Sequence, residues 1–296
     1  MKNKVYQIIT DRIIGLLEQG TVPWQKPWSG NDQMPINLSS KKQYRGINVF
    51  LLAAMGYESP YWLTFLQAKK LGGTITKGEK ACPVVFWKWL DPKDKQDGKG
   101  LEHDRRIPML RYYSVFNVAQ CEGIDDKVPL LELPEHDFNP IEDAEQIVSN
   151  MPNKPELTHK QARAFYRPSQ DLVNMPRPQL FESDEEYYST LFHELVHSTG
   201  HASRLNRFEK DQAVAFGSHT YSKEELVAEM GSAFLCNTCG IAERTLINSA
   251  AYIAGWLKRL KDDTTFVVRA AAQAQKAVDY IHNNTEQESE VRNEME

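Results

Sequence analysis

The stretch from Tyr187 to His197, Tyr-Tyr-Ser-Thr-Leu-Phe-His-Glu-Leu-Val-His, constrains this chain more than any other. Leu191, Phe192, Leu195 and Val196 recur at helical spacing and supply the apolar side that docks a helix in a core. Residues four apart on a helix lie one above the other, so His193 and His197 share a face and can ligate one cation. Glu194 projects beside that seam without occupying it, where a general base for a cation-activated water is needed. Gly200 then supplies the stop expected at a helix C-terminus.

Two histidines do not complete such a site. A third protein ligand is required, with the fourth position left to water. A histidine ten positions after the first would serve, but that position is Ser203, and His201 follows the helix-breaking Gly200. The next strong helical pattern is a better source. It runs from Ser222 to Leu235, with Ser222 and Glu225 spaced as a capping box. Its apolar face is Leu226, Val227, Met230, Ala233 and Phe234, and Glu229 lies on that same face. An unpaired carboxylate there would be costly, and a cation explains it. The expected ligands are therefore His193, His197 and Glu229, with Glu194 catalytic. Glu225, one turn earlier, is placed to ligate or to orient a histidine from outside the ligand set. This donor set suits Zn²⁺ and tolerates Mn²⁺ or Co²⁺. His219 and Tyr221, just before this face, are candidates to steady an oxyanion, though capping or packing is the simpler role for both.

Charge divides the chain. Residues 1–127 carry 19 basic against 13 acidic side chains, a net of +6, whereas residues 128–296 carry 16 against 27, a net of −11. The basic half also holds five of the six tryptophans. That asymmetry points to a nucleic-acid-facing part joined to something else. No apolar run approaches a membrane span and the N-terminus does not read as a secretory signal, so a cytoplasmic protein without a membrane partner is expected. Cys236 and Cys239 have metal-knuckle spacing but no second pair, and they fall on an apolar helix, which favours buried thiols.

Taken in order, Val5 to Gln19 reads as a helix, followed by Pro23-Trp24-Gln25-Lys26-Pro27-Trp28. This segment is either a loop strapped over the core by its aromatics or a platform on which bases stack. Lys41-Lys42-Gln43-Tyr44-Arg45-Gly46-Ile47-Asn48 reads as a phosphate-and-base contact loop ahead of a helix from Val49 to Met55. A short capped helix from Thr64 ends on Lys69-Lys70 and two glycines. Thr74–Thr76 and Ala81–Trp89, joined by Lys77-Gly78-Glu79-Lys80, read as a hairpin, and Met109–Val118 as a further strand. A hairpin of 162–166 and 171–175 precedes the metal helix, and two helices follow the second metal helix. In a metallopeptidase, an edge strand beside the metal helix holds extended peptide, and this hairpin is a candidate for it. The fold class expected is α+β in two domains: residues 1–127, a linker at 128–140, a metal domain at 141–283 and a disordered acidic tail at 284–296.

Pro23-Trp24-x-x-Pro27-Trp28, Tyr44-Arg45-Gly46-x-Asn48 and Lys77-Gly78-Glu79-Lys80 resemble the N-terminal domain shared by ArdC-type antirestriction proteins and TraC-type plasmid primases. The stretches from Phe192 to His201 and from Glu224 to Glu229 resemble the same family's zincin-like metallopeptidase domain. The resemblance implies a plasmid-encoded protein that binds single-stranded DNA through its first domain and protects incoming DNA from host restriction during conjugation. Under that expectation Lys26, Lys41, Lys42, Arg45, Lys69, Lys70, Lys77, Lys80 and Lys88 neutralise phosphates, while Trp24, Trp28, Tyr44 and Trp87 stack bases. A protein substrate or a restriction enzyme is the further partner considered. The alternative is a cytosolic zinc metallopeptidase whose first half recruits a protein substrate.

Overall fold

Ile9, Ile13 and Leu17 recur at helical spacing and bury one side of α1 (Lys2–Glu18). The computed structural model describes residues 2–19, 22–24, 34–57, 59–90, 107–129, 140–181, 183–208, 219–241 and 250–284. After α1 come β1 (Ile36–Asn37), α2 (Ile47–Ala53), β2 (Tyr61–Thr64), α3 (Phe65–Lys70), β3 (Thr74–Ile75), β4 (Cys82–Leu90), β5 (Ile107–Asn117) and β6 (Cys121–Glu122). The second half holds α4 (Pro140–Asn150), β7 (Glu156–Thr158), β8 (Phe165–Arg167), β9 (Leu172–Asn174), α5 (Asp184–Ser198), α6 (His219–Thr238), α7 (Ala250–Asp262) and α8 (Phe266–Ile281).

The first half is built on a sheet in the order β1-β2-β5-β4. β4 and β5 form a long antiparallel ribbon with Cys82 opposite Val115 and Leu90 opposite Ile107. The expected hairpin through Lys77–Lys80 does not form. β3 pairs instead with β6, because the chain turns away after Ile75 and Thr74 meets Glu122 across an antiparallel step. At the free edge of β4, Asn48 of α2 takes the place of a missing strand: its side chain accepts from Val85 N and donates to Val85 O, both at 2.7 Å. Gly46 starts α2 at φ 59°, ψ −137°, a backbone conformation essentially restricted to glycine.

In the second half β8 and β9 make the expected antiparallel hairpin, and β7 adds in parallel on the other side of β9. β8 is thus an edge strand, and it packs against α5. α6 begins at His219, a turn before Ser222, so Ser222 lies inside the helix and does not cap it. α8 is buried on nearly every side; Ala270, Ala271, Ala274 and Ala277 let α1, α2, α5 and α6 approach it closely.

The two halves share one core. Phe50 of α2 stacks on Phe234 of α6 at 4.7 Å between ring centroids, and Trp24 meets Trp256 of α7 edge-on at 6.0 Å. Arg45 pairs with Asp279, and Gly46 N donates to Gln275 Oε1 at 3.1 Å, both partners on α8. One continuous apolar cluster runs from α1 to α8. Residues 130–139 of the expected linker and 285–296 of the expected tail lie outside the described residues.

Candidate metal centre

Ser183 caps α5 by accepting from Glu186 N at 3.3 Å, and Asp184, Glu185 and Glu186 complement the positive end of the helix. Leu191, Phe192, Leu195 and Val196 are buried, which fixes the rotation of α5 and sends His193 and His197 toward α6. α6 runs tightly against it: a Cβ on Gly231 would lie 2.7 Å from Val196 Cγ2. At this separation His193, His197 and Glu225 converge.

His193 Nε2 and His197 Nε2 are 3.1 Å apart, and each lies 3.6 Å from a carboxylate oxygen of Glu225. A tetrahedral shell with metal–ligand bonds of ~2.0–2.1 Å places neighbouring ligand atoms about 3.3 Å apart. The three side chains therefore fit one divalent cation. Among the described residues this is the group that offers three such ligands.

The group of ligand atoms within reach of one cation takes Glu225 where Glu229 was expected. Glu229 is 9% exposed, and its Oε2 accepts from Trp24 Nε1 at 3.0 Å. An indole N–H meets the buried Glu229 carboxylate, and the carboxylate grouped with both imidazoles is that of Glu225, one turn earlier. The signal for Glu225 was its i, i+4 relation to Glu229 on one face, which also marks it as within reach of α5.

Supporting contacts surround the triad. Glu224 Oε1 lies 3.6 Å from His197 Nδ1, the ring nitrogen turned away from the other ligands. Arg207 holds that carboxylate with Nη2 at 2.6 Å from Oε1 and also donates to Val196 O at 2.8 Å and Thr199 Oγ1 at 2.5 Å. Arg207 thus ties the C-terminus of the histidine helix to α6. Burial favours a proton on Glu224, but His197 and Arg207 outweigh it and hold the carboxyl below its ordinary range. Arg204, fully buried, clamps Asp171 through two hydrogen bonds of 2.7 and 2.8 Å and so fixes the following loop to the β8–β9 turn. For His193, burial is the largest influence and favours the neutral ring, yet Glu225, Glu194 and Glu229 together raise its pKa above 6.5. Glu194 is 8% exposed beside this group. The side chains of His219 and Tyr221 lie outside the described residues.

Comparison with known proteins gives this geometry a family. Residues 3–116 match the N-terminal domain of the anti-restriction factor ArdC, and residues 142–273 match a zincin-like metallopeptidase domain. A crystal structure of the antirestriction ArdC protein from the R388 plasmid, metal-free, aligns with a TM-score of 0.73 at 39% identity, covering 94% of this chain and 97% of that one. The chain belongs to the ArdC family of antirestriction proteins. The same plasmid protein in its Mn(II)-bound structure aligns with a TM-score of 0.72 at 37% identity, over 95% of this chain and 98% of that one. The protein y4eC of Sinorhizobium fredii is 34% identical over 98% of this chain and 95% of its own length. A DNA primase TraC of Escherichia coli is 38% identical over 95% of this chain, which spans only 20% of that primase.

In this ArdC-family chain the basic half places its expected DNA-contacting residues unequally. Trp24 is 1% exposed and is withdrawn as a stacking residue, because its ring lies in the core and its N–H serves Glu229. Tyr44 is half-buried, its hydroxyl accepts from Asn37 Nδ2 at 3.1 Å, and burial pushes its phenol up to about 12. Arg45 is committed to Asp279. Arg45 and Gly46 join the halves of the molecule, and Tyr44 and Asn48 bond within the first half, so the segment is not an open contact loop. Lys41, Lys42, Lys69, Lys70, Lys77 and Lys80 are exposed. Lys26, Trp28 and the side chains of Trp87 and Lys88 lie outside the described residues. Sequence patterns missed the exposed rings, Phe65, Tyr112 and Tyr113, since exposure is a property of the folded surface.

Among the described residues, no helix is long and apolar enough to cross a membrane.

Proposed function

We propose that this chain binds single-stranded DNA and protects incoming DNA from host restriction during conjugation, with a divalent cation held by His193, His197 and Glu225. The end-to-end likeness to a plasmid antirestriction ArdC protein carries this reading. The exposed lysines of the first half support it, since they supply a sequence-independent, salt-sensitive attraction for phosphates. Manganese is a reasonable occupant, because the plasmid protein has a Mn(II)-bound structure and the two-histidine, one-carboxylate donor set also accepts zinc. The test is retardation of single- and double-stranded oligonucleotides at two salt concentrations, with conjugative transfer into a restricting host measured in parallel. Preference for the single strand, weakened by salt, together with rescued transfer is the expected result. Absence of binding at low salt would remove the DNA-binding part of the reading.

The buried Glu194 beside the triad, and the β8 edge strand packed on α5, favour a second reading as a peptide hydrolase. A cation held there would lower the pKa of a bound water to about 7 and polarise a carbonyl. Glu194 would accept the proton, and β8 would hold extended peptide by strand addition. Glu194→Gln leaves all three ligands in place. Restriction protection that persists in this variant at full metal content would make the centre structural for that function.

A further inference from the structure

α3 has only one fully buried side chain, Ala68. Its capping box is complete: Thr64 Oγ1 accepts from Gln67 N at 3.2 Å, and Gln67 Oε1 accepts from Thr64 N at 2.8 Å. Two large apolar residues follow the cap and find no core. Phe65 is 56% exposed and Leu66 75% exposed, and neither joins the small apolar cluster beneath the helix. The helix then ends on Lys69 and Lys70, which have no carboxylate partner among the described residues.

A second basic pair is brought to the same side. Asn37 Oδ1 accepts from Ser39 N at 3.1 Å and Ser40 N at 2.9 Å, an Asx turn that presents Lys41 and Lys42. Asn37 Nδ2 also donates to Gln67 Oε1 at 3.2 Å, which places this turn against α3. Lys41 Nζ lies 5.8 Å from the centroid of the Tyr61 ring, on the strand that leads into Phe65. Two acids of the adjoining β6 segment have other partners: Glu122 accepts from Thr76 Oγ1 at 3.2 Å and Asp126 pairs with Lys127 at 2.5 Å.

We infer that Phe65 is the base-stacking residue of a single-stranded DNA path flanked by Lys41 and Lys42 on one side and Lys69 and Lys70 on the other. The inference rests on the DNA-binding reading and deepens it. Charge complementarity selects the ligand, because lysines on both sides of the exposed Phe65 ring match a phosphate chain whose bases are unpaired and free to stack. Phe65 is a better platform than the other exposed rings. Tyr113 already stacks on Phe86 at 4.4 Å, and Arg111 is the cation described beside Tyr112 on that ribbon.

The experiment is fluorescence anisotropy with a labelled oligothymidylate and the full chain, comparing the parent with Phe65→Ala, Phe65→Trp and the double variant Lys69→Gln, Lys70→Gln across a salt series. Metal content and thermal melting are matched first. Phe65→Ala should weaken binding about 5- to 150-fold with the salt slope unchanged, and Phe65→Trp should restore it. The double lysine variant should reduce the slope of log affinity against log salt by about 1.4. Parent-like affinity in Phe65→Ala, or a parent-like slope in the lysine variant, would overturn the inference while leaving DNA binding intact and would reassign the patch to a protein partner. No binding by the parent would remove the DNA-binding reading itself and the inference with it.

Discussion

A carboxylate at 9% exposure needs a donor or a cation, and α6 offers one carboxylate of each kind a single turn apart. Glu225 faces both imidazoles, whereas Glu229 faces an indole N–H. Glu225→Gln should therefore weaken Mn(II) or Zn(II) binding by more than the roughly 10- to 100-fold that loss of an outer partner costs. Glu229→Gln retains an amide oxygen for Trp24 and should leave metal affinity within about 10-fold of the parent, no more than the lower end of that outer-partner range. Calorimetric titration of metal-stripped protein separates the two, and the reverse pattern would reinstate Glu229 as the ligand. Protons compete at the same place. His193 without metal binds its proton more tightly than an ordinary imidazole, so a cation must displace that proton below the raised pKa. Apparent affinity should then fall about 10-fold per pH unit on the acid side of it and level off above. A flat profile between pH 5 and about 8 would contradict that competition. The shared face of His193 and His197 was legible because four-residue spacing on one helix is a local property. Which carboxylate meets them was not, since the arrangement of the two glutamates depends on Trp24, 205 positions away in the chain.

Elements were legible where their periodicity was strong. α1, α5, α6 and α8 fall where apolar spacing puts them, and the β8–β9 hairpin follows its turn residues. Partners of short strands were not legible: two residues of β3 carry no pattern that distinguishes β4 from β6. The close approach of α5 and α6 is likewise a tertiary fact, recorded by Gly231 against Val196. Gly231→Ala tests how far that approach holds the metal ligands in register. Alanine would gain about 1 kcal/mol of helix propensity, but its methyl would overlap a β-branched side chain whose rotamer the helix fixes. Overpacking of this kind costs about 1–3 kcal/mol, so the net effect is neutral to destabilising, and Glu225 moves away from the histidines. A lower melting temperature together with weaker metal binding is expected. A more stable variant with parental metal affinity would show that the spacing of α5 and α6 does not set the site.

At the scale of the whole molecule, the charge division between halves suggests separable domains, and the packing argues against separability. The Arg45-Gly46-x-Asn48 segment binds α8 and β4, Phe50 stacks on Phe234, and Trp24 reaches the helix that carries Glu225. Ile9, Ile13, Leu17 and Phe50 are all below 2% exposure in a cluster completed by α6, α7 and α8. Stripping away the second half would return much of that surface to water, at about 1.5–3 kcal/mol for each large side chain fully uncovered. Three or four such side chains would consume most of the roughly 5–15 kcal/mol that stabilises an ordinary domain. Residues 1–127 alone should therefore show no cooperative thermal transition, while the full chain melts in one step seen equally by near- and far-ultraviolet dichroism. Metal should raise that single melting temperature, although every ligand lies in the second half, because a cation that binds only the folded state stabilises whatever folds with it. Two resolved transitions, with only the later one moved by metal, would mean that the shared core is an interface between independent folds. DNA binding could then be studied on the first half in isolation.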